Sequence, residues 1–240
     1  MAITIVDVKS GSGQATSAQL AAFASNPVTG DTVVVGIAMF SSGTINAPTD
    51  TAGNTYTQIG TTQNAPSTQL YMGLFYAKNI TGGSTFRVTI SFNASHHYAV
   101  VAWVLHGVDA NPYNGDWVTH TAFSNAPNAG PSAGAPGVAN SLFFGILNTP
   151  AVVTTGSGWN TTGANGFTAG MATAAVVADY AAHDAIYSEY KISSVAEGAN
   201  WSLNANNQWV AMQASFAPST APPPAAWVSS PVMVLEYERR

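Results

Sequence analysis

Five histidines are the first residues to test for chemistry, because clustered imidazoles bind transition metals. His96 and His97 precede an apolar run, and His106 follows it. If that run is one strand, about 30 Å separates His97 from His106, at roughly 3.3 Å per residue. One metal ion cannot be bound from both ends of such a strand, so we expect no metal and no cofactor.

Three carboxylates, Asp179, Asp184 and Glu189, lie close together in the sequence. Sandwich-fold glycosidases use carboxylates that are about 5–10 Å apart. In one strand, Asp184 and Glu189 would point to opposite faces, because their positions in the sequence differ by an odd number. No Gly-x-Ser-x-Gly sequence of the chain lies at a predicted strand-to-helix turn, where a serine hydrolase would need its nucleophile. We therefore expect a protein that is not an enzyme.

Asp50, Asn54 and Asp109 are oxygen-bearing side chains of the kind that calcium binds. All three are next to or near glycine, where Asp and Asn also stabilise turns by bonding the backbone amides ahead of them. A calcium site and a purely turn-forming role are both compatible with this pattern.

Three aromatic residues lie in or near Gly-rich loops: Trp117, Trp159 and Phe167. Exposed aromatic side chains on loops stack on sugars or contact other proteins. The same side chains could instead cover one end of a β-sandwich, so glycan contact is one of two interpretations.

The longest apolar runs, residues 32–40, 98–105 and 141–147, do not alternate with polar residues. A half-exposed antiparallel strand should alternate, so both faces of these runs must be covered. Loops of the same chain or a neighbouring subunit could provide the second cover. Residues 69–77 and 85–92, joined by a loop containing two glycines, are predicted to form a central hairpin.

The 240-residue chain is 46% hydrophobic but only 7% charged, with a net charge of −5. It has only six lysines and arginines, and four of them, Lys9, Lys78, Arg87 and Lys191, are scattered, so we expect neither nucleic acids nor anionic membrane surfaces as partners. There are no cysteines, and no apolar run approaches the roughly 20 residues that span a bilayer.

Similar strand-rich texture on both sides of the low-complexity stretch 124–138 favours one domain. We predict a sandwich domain at residues 1–216, a proline-rich linker at 217–226 and an apolar C-terminal arm at 227–240. The arm is the expected partner-binding segment, through Trp227, Val232, Val234, Leu235 and Tyr237.

Three motifs occur in order along the first half of the chain. They are Asp50-x-x-Gly53-Asn54-x-Tyr56, then residues 76–83 (YAKNITGG), then Gly107-Val108-Asp109-x-x-Pro112. Together they resemble a set of bacterial secreted and phage-borne β-sandwich modules found in adhesins and virion appendages. The resemblance covers about residues 31–216 and implies an all-β, antiparallel β-sandwich of jelly-roll, lectin-like type. It implies no shared catalytic residues.

These observations lead to one expected function and one alternative. We expect a non-enzymatic structural or decoration protein of a phage-like virion. It would form a homo-oligomer and be anchored by its C-terminal arm to a capsid or tail protein. The alternative is a carbohydrate-binding adhesin module, located at a cell or tail-fibre surface.

Overall fold

A computed structural model describes residues 1–65, 68–130, 139–149, 168–169, 185–203 and 205–220. These residues form β-strands and no helix, so the described chain contains no helix that is long and apolar enough to cross a membrane. The strands form two antiparallel sheets that pack face to face. The prediction of an antiparallel β-sandwich is therefore confirmed.

The first sheet is formed by the first half of the chain, and its strand order is β1-β6-β2-β5-β4, with β3 paired to the start of β6. Its strands are β1 (Thr4–Gln19), β2 (Thr32–Phe40), β3 (Thr49–Asp50), β4 (Thr57–Asn64), β5 (Leu70–Ala77) and β6 (Val88–His106).

The second sheet is formed by the second half, and its order is β7-β11-β8-β10-β9. Its strands are β7 (Val108–Ser124), β8 (Ser141–Thr149), β9 (Thr168–Ala169), β10 (Ala185–Ser193) and β11 (Asn207–Pro218). Because a double-sheet jelly roll is built from two Greek keys, while each described sheet uses one contiguous half of the chain, the jelly-roll part of the prediction is not confirmed.

The expected central hairpin is wrong, because β2 lies between β5 and β6. Val35 pairs with Phe75 on one side and with Ala102 on the other. The connection from β5 to β6 carries Ile80 and Phe86, which are 0% and 1% exposed. These side chains cover the sheet, so the connection crosses its face instead of turning back beside β5.

The inner faces of the two sheets share one apolar core. Trp103 of β6 contacts Phe144 of β8 and Tyr190 of β10, with ring centroids 5.2 and 5.6 Å apart. Across the core, β4 faces β7 and β5 faces β11 and β8, while β2 and β6 face β10. This alignment is the usual arrangement of sandwiches whose sheets pack with nearly parallel strands.

The outer face of the first sheet is covered by the chain itself. Residues 20–25 cross it and are held there by Asp7, whose Oδ2 accepts the N–H groups of Ala24 (2.6 Å) and Ser25 (3.1 Å). The bent N-terminal part of β6 adds further cover. The covering apolar side chains are Leu20, Phe23, Ile45, Tyr56, Ile80, Phe86, Ile90 and Phe92.

The outer face of the second sheet is covered by two loops, residues 125–130 and 197–203, which we call the paired loops. Trp201 N–H donates to the carbonyl of Pro127 (2.9 Å), and Leu203 N–H donates to that of Asn125 (2.7 Å). Trp201 and Leu203 pack against Trp209 and other side chains of the sheet. The second face of the apolar strands could have been covered by loops of the same chain or by a neighbouring subunit. In the described residues, loops of the same chain cover it.

Candidate functional site

One end of the sandwich joins the two sheets, and we call it the crossover end. There β6 passes into β7 through Gly107, whose φ is +77°. A Cβ at Gly107 would lie 2.4 Å from the carbonyl oxygen of Ala2, so only glycine fits. Ser219 N–H donates to the Gly107 carbonyl (2.7 Å), and the amino group of Met1 donates to the Ser219 carbonyl. The start of β1 and the end of β11 therefore meet at this junction.

The first sequence motif forms a hydrogen-bonded turn at the crossover end. Asp50 Oδ1 accepts the N–H groups of Ala52 (2.9 Å) and Asn54 (3.1 Å), and Tyr56 donates its hydroxyl to Asp50 Oδ2 (3.0 Å). Burial, with the nearby Asp50 carboxylate, raises the pKa of Tyr56. Asn54 Oδ1 accepts the N–H of Thr81 (2.7 Å), which ties this turn to the second motif. These contacts give each polar motif residue a turn-forming role.

The second motif packs its backbone against residues 27–31. Gly83 N–H donates to the carbonyl of Pro27, and Ile80 N–H donates to that of Asp31, both at 3.0 Å. A Cβ at Gly82 would lie 2.2 Å from the Pro27 oxygen. Gly82 is therefore explained by the close contact between two loops, whereas a Cβ at Gly83 would meet no atom within 4 Å.

Asp109, in the third motif, forms a turn of its own by accepting the N–H of Asn111 at 2.9 Å. The structure thus brings Asp50 and Asn54 together, and it gives Asp109 a separate turn. In the described residues, no group of three or more His, Cys, Asp or Glu side chains is arranged to bind a metal ion. The turn-forming role accounts for all three predicted calcium ligands.

An apolar cleft of about 410 Å³ opens at the crossover end. Ile3 is 4% exposed, whereas Met1 and Ile192 are both 43% exposed. The cleft lies beside the point where the chain leaves β11, because Pro218 is part of its wall. Its lining residues are Met1, Ala2, Ile3, Asn140, Ile192 and Pro218.

Further large apolar side chains are exposed at the same end. Val28 is 53% exposed and Val195 is 61% exposed, the latter just beyond the end of β10. At the opposite end, Phe123 near the end of β7 is 61% exposed. The exposed apolar surface of the described residues is therefore concentrated at the crossover end.

A buried polar pair lies beneath the paired loops. Glu189 is 1% exposed, and its Oε1 accepts the N–H of Asn200 at 3.0 Å. Gln213 Oε1 accepts the N–H of Ala199 (2.6 Å), and its Nε2 donates to the carbonyl of Glu197 (2.8 Å). Burial raises the pKa of Glu189 to about 8, although the hydrogen bond from Asn200 lowers it. Both side chains therefore hold the loop backbone. Glu189 is the one suspected glycosidase carboxylate that the structure describes, and its role here is structural.

A second polar cluster lies at the end of β2. Ser41 Oγ is 2.8 Å from His96 Nδ1, and His96 Nε2 is 3.3 Å from Asn93 Oδ1. Asn93 Oδ1 also accepts the N–H of Thr44 (2.8 Å), so this oxygen is an acceptor and the proton of neutral His96 is on Nε2. The Nδ1 lone pair then accepts the Ser41 hydroxyl, and residues 41–44 are held against β6.

Hydroxyl, imidazole and amide in this order also match the hydrogen bonds of an activated serine nucleophile. Ser41 has a φ of +79°, an uncommon backbone conformation for a residue other than glycine. His96, however, is only 5% exposed. The sequence does not reveal this cluster, because Ser41 and Asn93 are far apart in the chain and no motif connects them.

The predicted glycan contacts are only partly described. Trp117 lies within β7 and is half-buried against the inner core, and a Cβ at Gly60 would lie 2.5 Å from its ring. Trp117 therefore contributes to packing between β7 and β4. His97 and His106 lie nine residues apart on β6, as the strand prediction required. Outside the described residues lie Trp159, Phe167, Asp179, Asp184 and the arm residues Trp227, Val232, Val234, Leu235 and Tyr237.

Comparison with protein-family models, with curated proteins and with solved structures found no match for this chain. The resemblance to bacterial and phage sandwich modules thus rests on the three sequence motifs. Within the described residues, those motifs form turns and loop contacts at the crossover end.

Proposed function

We propose that this chain is a non-enzymatic structural or decoration protein of a phage-like virion. It self-associates and is anchored to a capsid or tail protein through its C-terminal arm. The observation that carries this proposal is the concentration of exposed apolar side chains at the crossover end, beside Pro218, where β11 ends.

This surface favours association for a physical reason. Apolar side chains on a soluble protein are often scattered singly, whereas contiguous apolar surface marks interaction sites. Met1 and Ile192 border an apolar cleft, and Val195 is close to Ile192 in the chain. Burying such surface contributes about 25 cal/mol per Å² before ordering costs are subtracted.

The hydrogen bonds of three polar side chains support a role other than catalysis. Asp50 and Glu189 accept hydrogen bonds from backbone N–H groups, and His96 holds a loop through Ser41 and Asn93. Labelling with a fluorophosphonate, which reacts with activated serines, tests this point. We expect no labelling of the folded chain, and modification of Ser41 that is lost in Ser41→Ala would contradict the non-enzymatic proposal.

Particle association is tested directly by mass spectrometry of purified virions. We expect the chain to remain with particles after washing in high salt, because apolar contacts are not screened by ions. A variant that ends after residue 220 should be released or not incorporated. Equal retention of the two forms would exclude anchoring by the arm.

The alternative is a carbohydrate-binding adhesin module. It relies on Trp159 and Phe167, together with a surface rich in Ser, Thr and Asn, because Trp117 is engaged in packing. A glycan array separates the two functions. Specific sugar binding by an isolated monomer, lost in Trp159→Ala, would favour the adhesin over the structural protein.

A further inference from the structure

We propose that the cleft at the crossover end is the receptor for the C-terminal arm of a second copy of this chain. Two copies would exchange arms, and each arm would place apolar side chains from residues 227–237 into the partner's cleft. This inference rests on the proposed self-association, and it specifies which surface of the chain receives the arm. It does not rest on the proposed anchoring to a capsid or tail protein, because an exchanged arm is occupied by the partner copy.

The cleft has the properties of a receptor for an apolar segment. Its volume of about 410 Å³ lies within the range of sites that enclose small ligands. Ile3 is buried, while Ile192 and Met1 are each 43% exposed. Asn140 also lines the cleft. An entering strand or extended peptide would cover the apolar side chains and could bond the Asn140 amide.

The arm is the best-matched occupant because of its sequence and its origin. Residues 227–237 contain Trp227, Val232, Val234, Leu235 and Tyr237, with Glu236 as their single charged residue. The chain leaves the sandwich at the cleft itself, since Pro218 lines the cleft and Ser219 is held to Gly107 by a 2.7 Å hydrogen bond. Every copy therefore presents the arm and the receptor at the same end.

The linker favours the cleft of another copy over its own. Residues 222–224 are three consecutive prolines, which favour extended backbone. Between Pro218 and Trp227 the chain can reach about 28 Å when extended, at about 3.1 Å per residue. To fill its own cleft, the arm would have to reverse over the same distance. A linker with this preference for extended backbone would carry Trp227 away from its own cleft.

The common location of arm and cleft also predicts the symmetry. Two copies that face each other with their crossover ends can exchange both arms at once, which is a closed two-fold arrangement. Both arm-to-cleft contacts are then made in one dimer. A dimer is therefore the expected species, without open chains of copies.

The first experiment measures dimerisation of the full chain by sedimentation velocity over a concentration series. Ile192→Asp places a charge at the cleft, and Val234→Asp places one on the arm. We expect each substitution to weaken dimerisation at least tenfold. Phe123→Asp is the matched control, because Phe123 is apolar and also 61% exposed but lies near the end of β7, opposite the crossover end. It should change the dissociation constant less than twofold.

Folding of each variant is checked by its urea unfolding midpoint. If Ile192→Asp unfolds the chain, Ile192→Thr provides a milder change that keeps a β-branched residue in β10. Ile192→Thr is then expected to weaken dimerisation as well, but by a smaller factor than Ile192→Asp.

The decisive experiment mixes the two defective variants. The Val234→Asp chain retains an intact cleft, and the Ile192→Asp chain retains an intact arm, so the mixture can form one complete contact. We expect a mixed dimer with an affinity between that of the wild type and those of the separate variants. Because the chain has no cysteine, a dye on Phe123→Cys at the opposite end marks one partner.

The remaining outcomes overturn the inference in distinguishable ways. A monomeric wild type that loses stability in both variants would mean that each arm fills its own cleft, and self-association would fail with it. A dimer weakened by Val234→Asp but not by Ile192→Asp would keep the arm as an anchor and reject this cleft. Defective variants that do not form a mixed dimer would also reject arm exchange.

Discussion

Glu189 lies under the paired loops with 1% of its surface exposed, and burial raises its pKa to about 8. The folded chain therefore binds a proton that the unfolded chain releases near pH 4.5. The stabilisation is complete below about pH 4.5 and is lost as the pH rises to about 8, above which it stays constant. At 1.36 kcal/mol per pH unit, the loss is at most about 5 kcal/mol.

Glu189→Gln keeps an oxygen that can accept the Asn200 N–H but cannot ionise. We expect the variant to be less sensitive to pH than the wild type between about pH 5 and pH 8, and more stable than it at pH 8. Urea unfolding at several pH values measures this difference. Parallel stability curves for the two proteins would show that Glu189 is not protonated in the folded state.

The Asp50 turn gives a second prediction at this scale. Asp50→Ala leaves the N–H groups of Ala52 and Asn54 and the Tyr56 hydroxyl without their acceptor, which should cost about 2–3 kcal/mol. Tyr56→Phe removes one hydrogen bond and should cost about 1 kcal/mol.

Asp109→Ala is the comparison, because it removes one exposed turn bond, and we expect it to cost less than Asp50→Ala. Thermal unfolding with calcium and with a chelator completes the test. The turn-forming role predicts the same midpoint in both conditions. If calcium raised the midpoint of the wild type but not that of Asp50→Ala, a calcium site would be established instead.

Among the elements, the paired loops depend on a glycine in the strand beneath them. A Cβ at Gly145 of β8 would lie 2.4 Å from Ala199 Cβ and 3.2 Å from the ring of Trp201. Gly145→Ala should therefore displace residues 197–203 and cost about 1–3 kcal/mol through overpacking. Gly83→Ala is the matched control, because its Cβ would meet no atom within 4 Å.

The difference in tryptophan fluorescence between variant and wild type reports on the loop through Trp201, one of six tryptophans in the chain. Urea unfolding reports on stability. We expect both to change in Gly145→Ala and neither to change much in Gly83→Ala. An unchanged Gly145→Ala protein would mean that the paired loops do not pack against β8.

The strands themselves could be predicted because their signal is local. The run at residues 32–40 coincides with β2, and the runs at 98–105 and 141–147 lie within β6 and β8. Pairing partners could not be predicted in the same way. A Gly-bearing connection between two strands suggests a hairpin, but it does not reveal that β2 lies between β5 and β6.

The polar clusters were harder to predict from the sequence for the same reason. The Asp50 turn is contained in seven residues, so its turn-forming role could be inferred from spacing. The cluster of Ser41, Asn93 and His96 forms only after β2 and β6 have paired. Glu189 gave a weak signal as a charged residue in an apolar strand, while its position beneath the paired loops required the structure.

Over the whole molecule, the described strands continue slightly beyond the expected domain boundary. β11 reaches Pro218, which pairs with Val108, and Ser219 is bonded to Gly107. A chain ending after residue 220 keeps these contacts, whereas one ending after residue 216 loses them together with the side chain of Ala217, which is 8% exposed.

We expect the 220-residue form to unfold within about 0.5 kcal/mol of the full chain, when both are measured at low concentration. The 216-residue form should be less stable by about 1–3 kcal/mol, because backbone pairing and the contact with Gly107 are lost. Urea unfolding of the three forms decides this. Loss of stability in the 220-residue form would mean that the arm belongs to the folded body.

The junction at Gly107 has a consequence for engineering the chain. Residues 1 and 219 are directly hydrogen-bonded, so in the form that ends after residue 220 a short peptide bridge could close the backbone into a continuous loop. New ends could then be opened in an exposed connection elsewhere, since neighbouring ends are what make circular permutation tolerable. Such a permutant would separate the order of synthesis from the order of the strands while leaving both sheets intact.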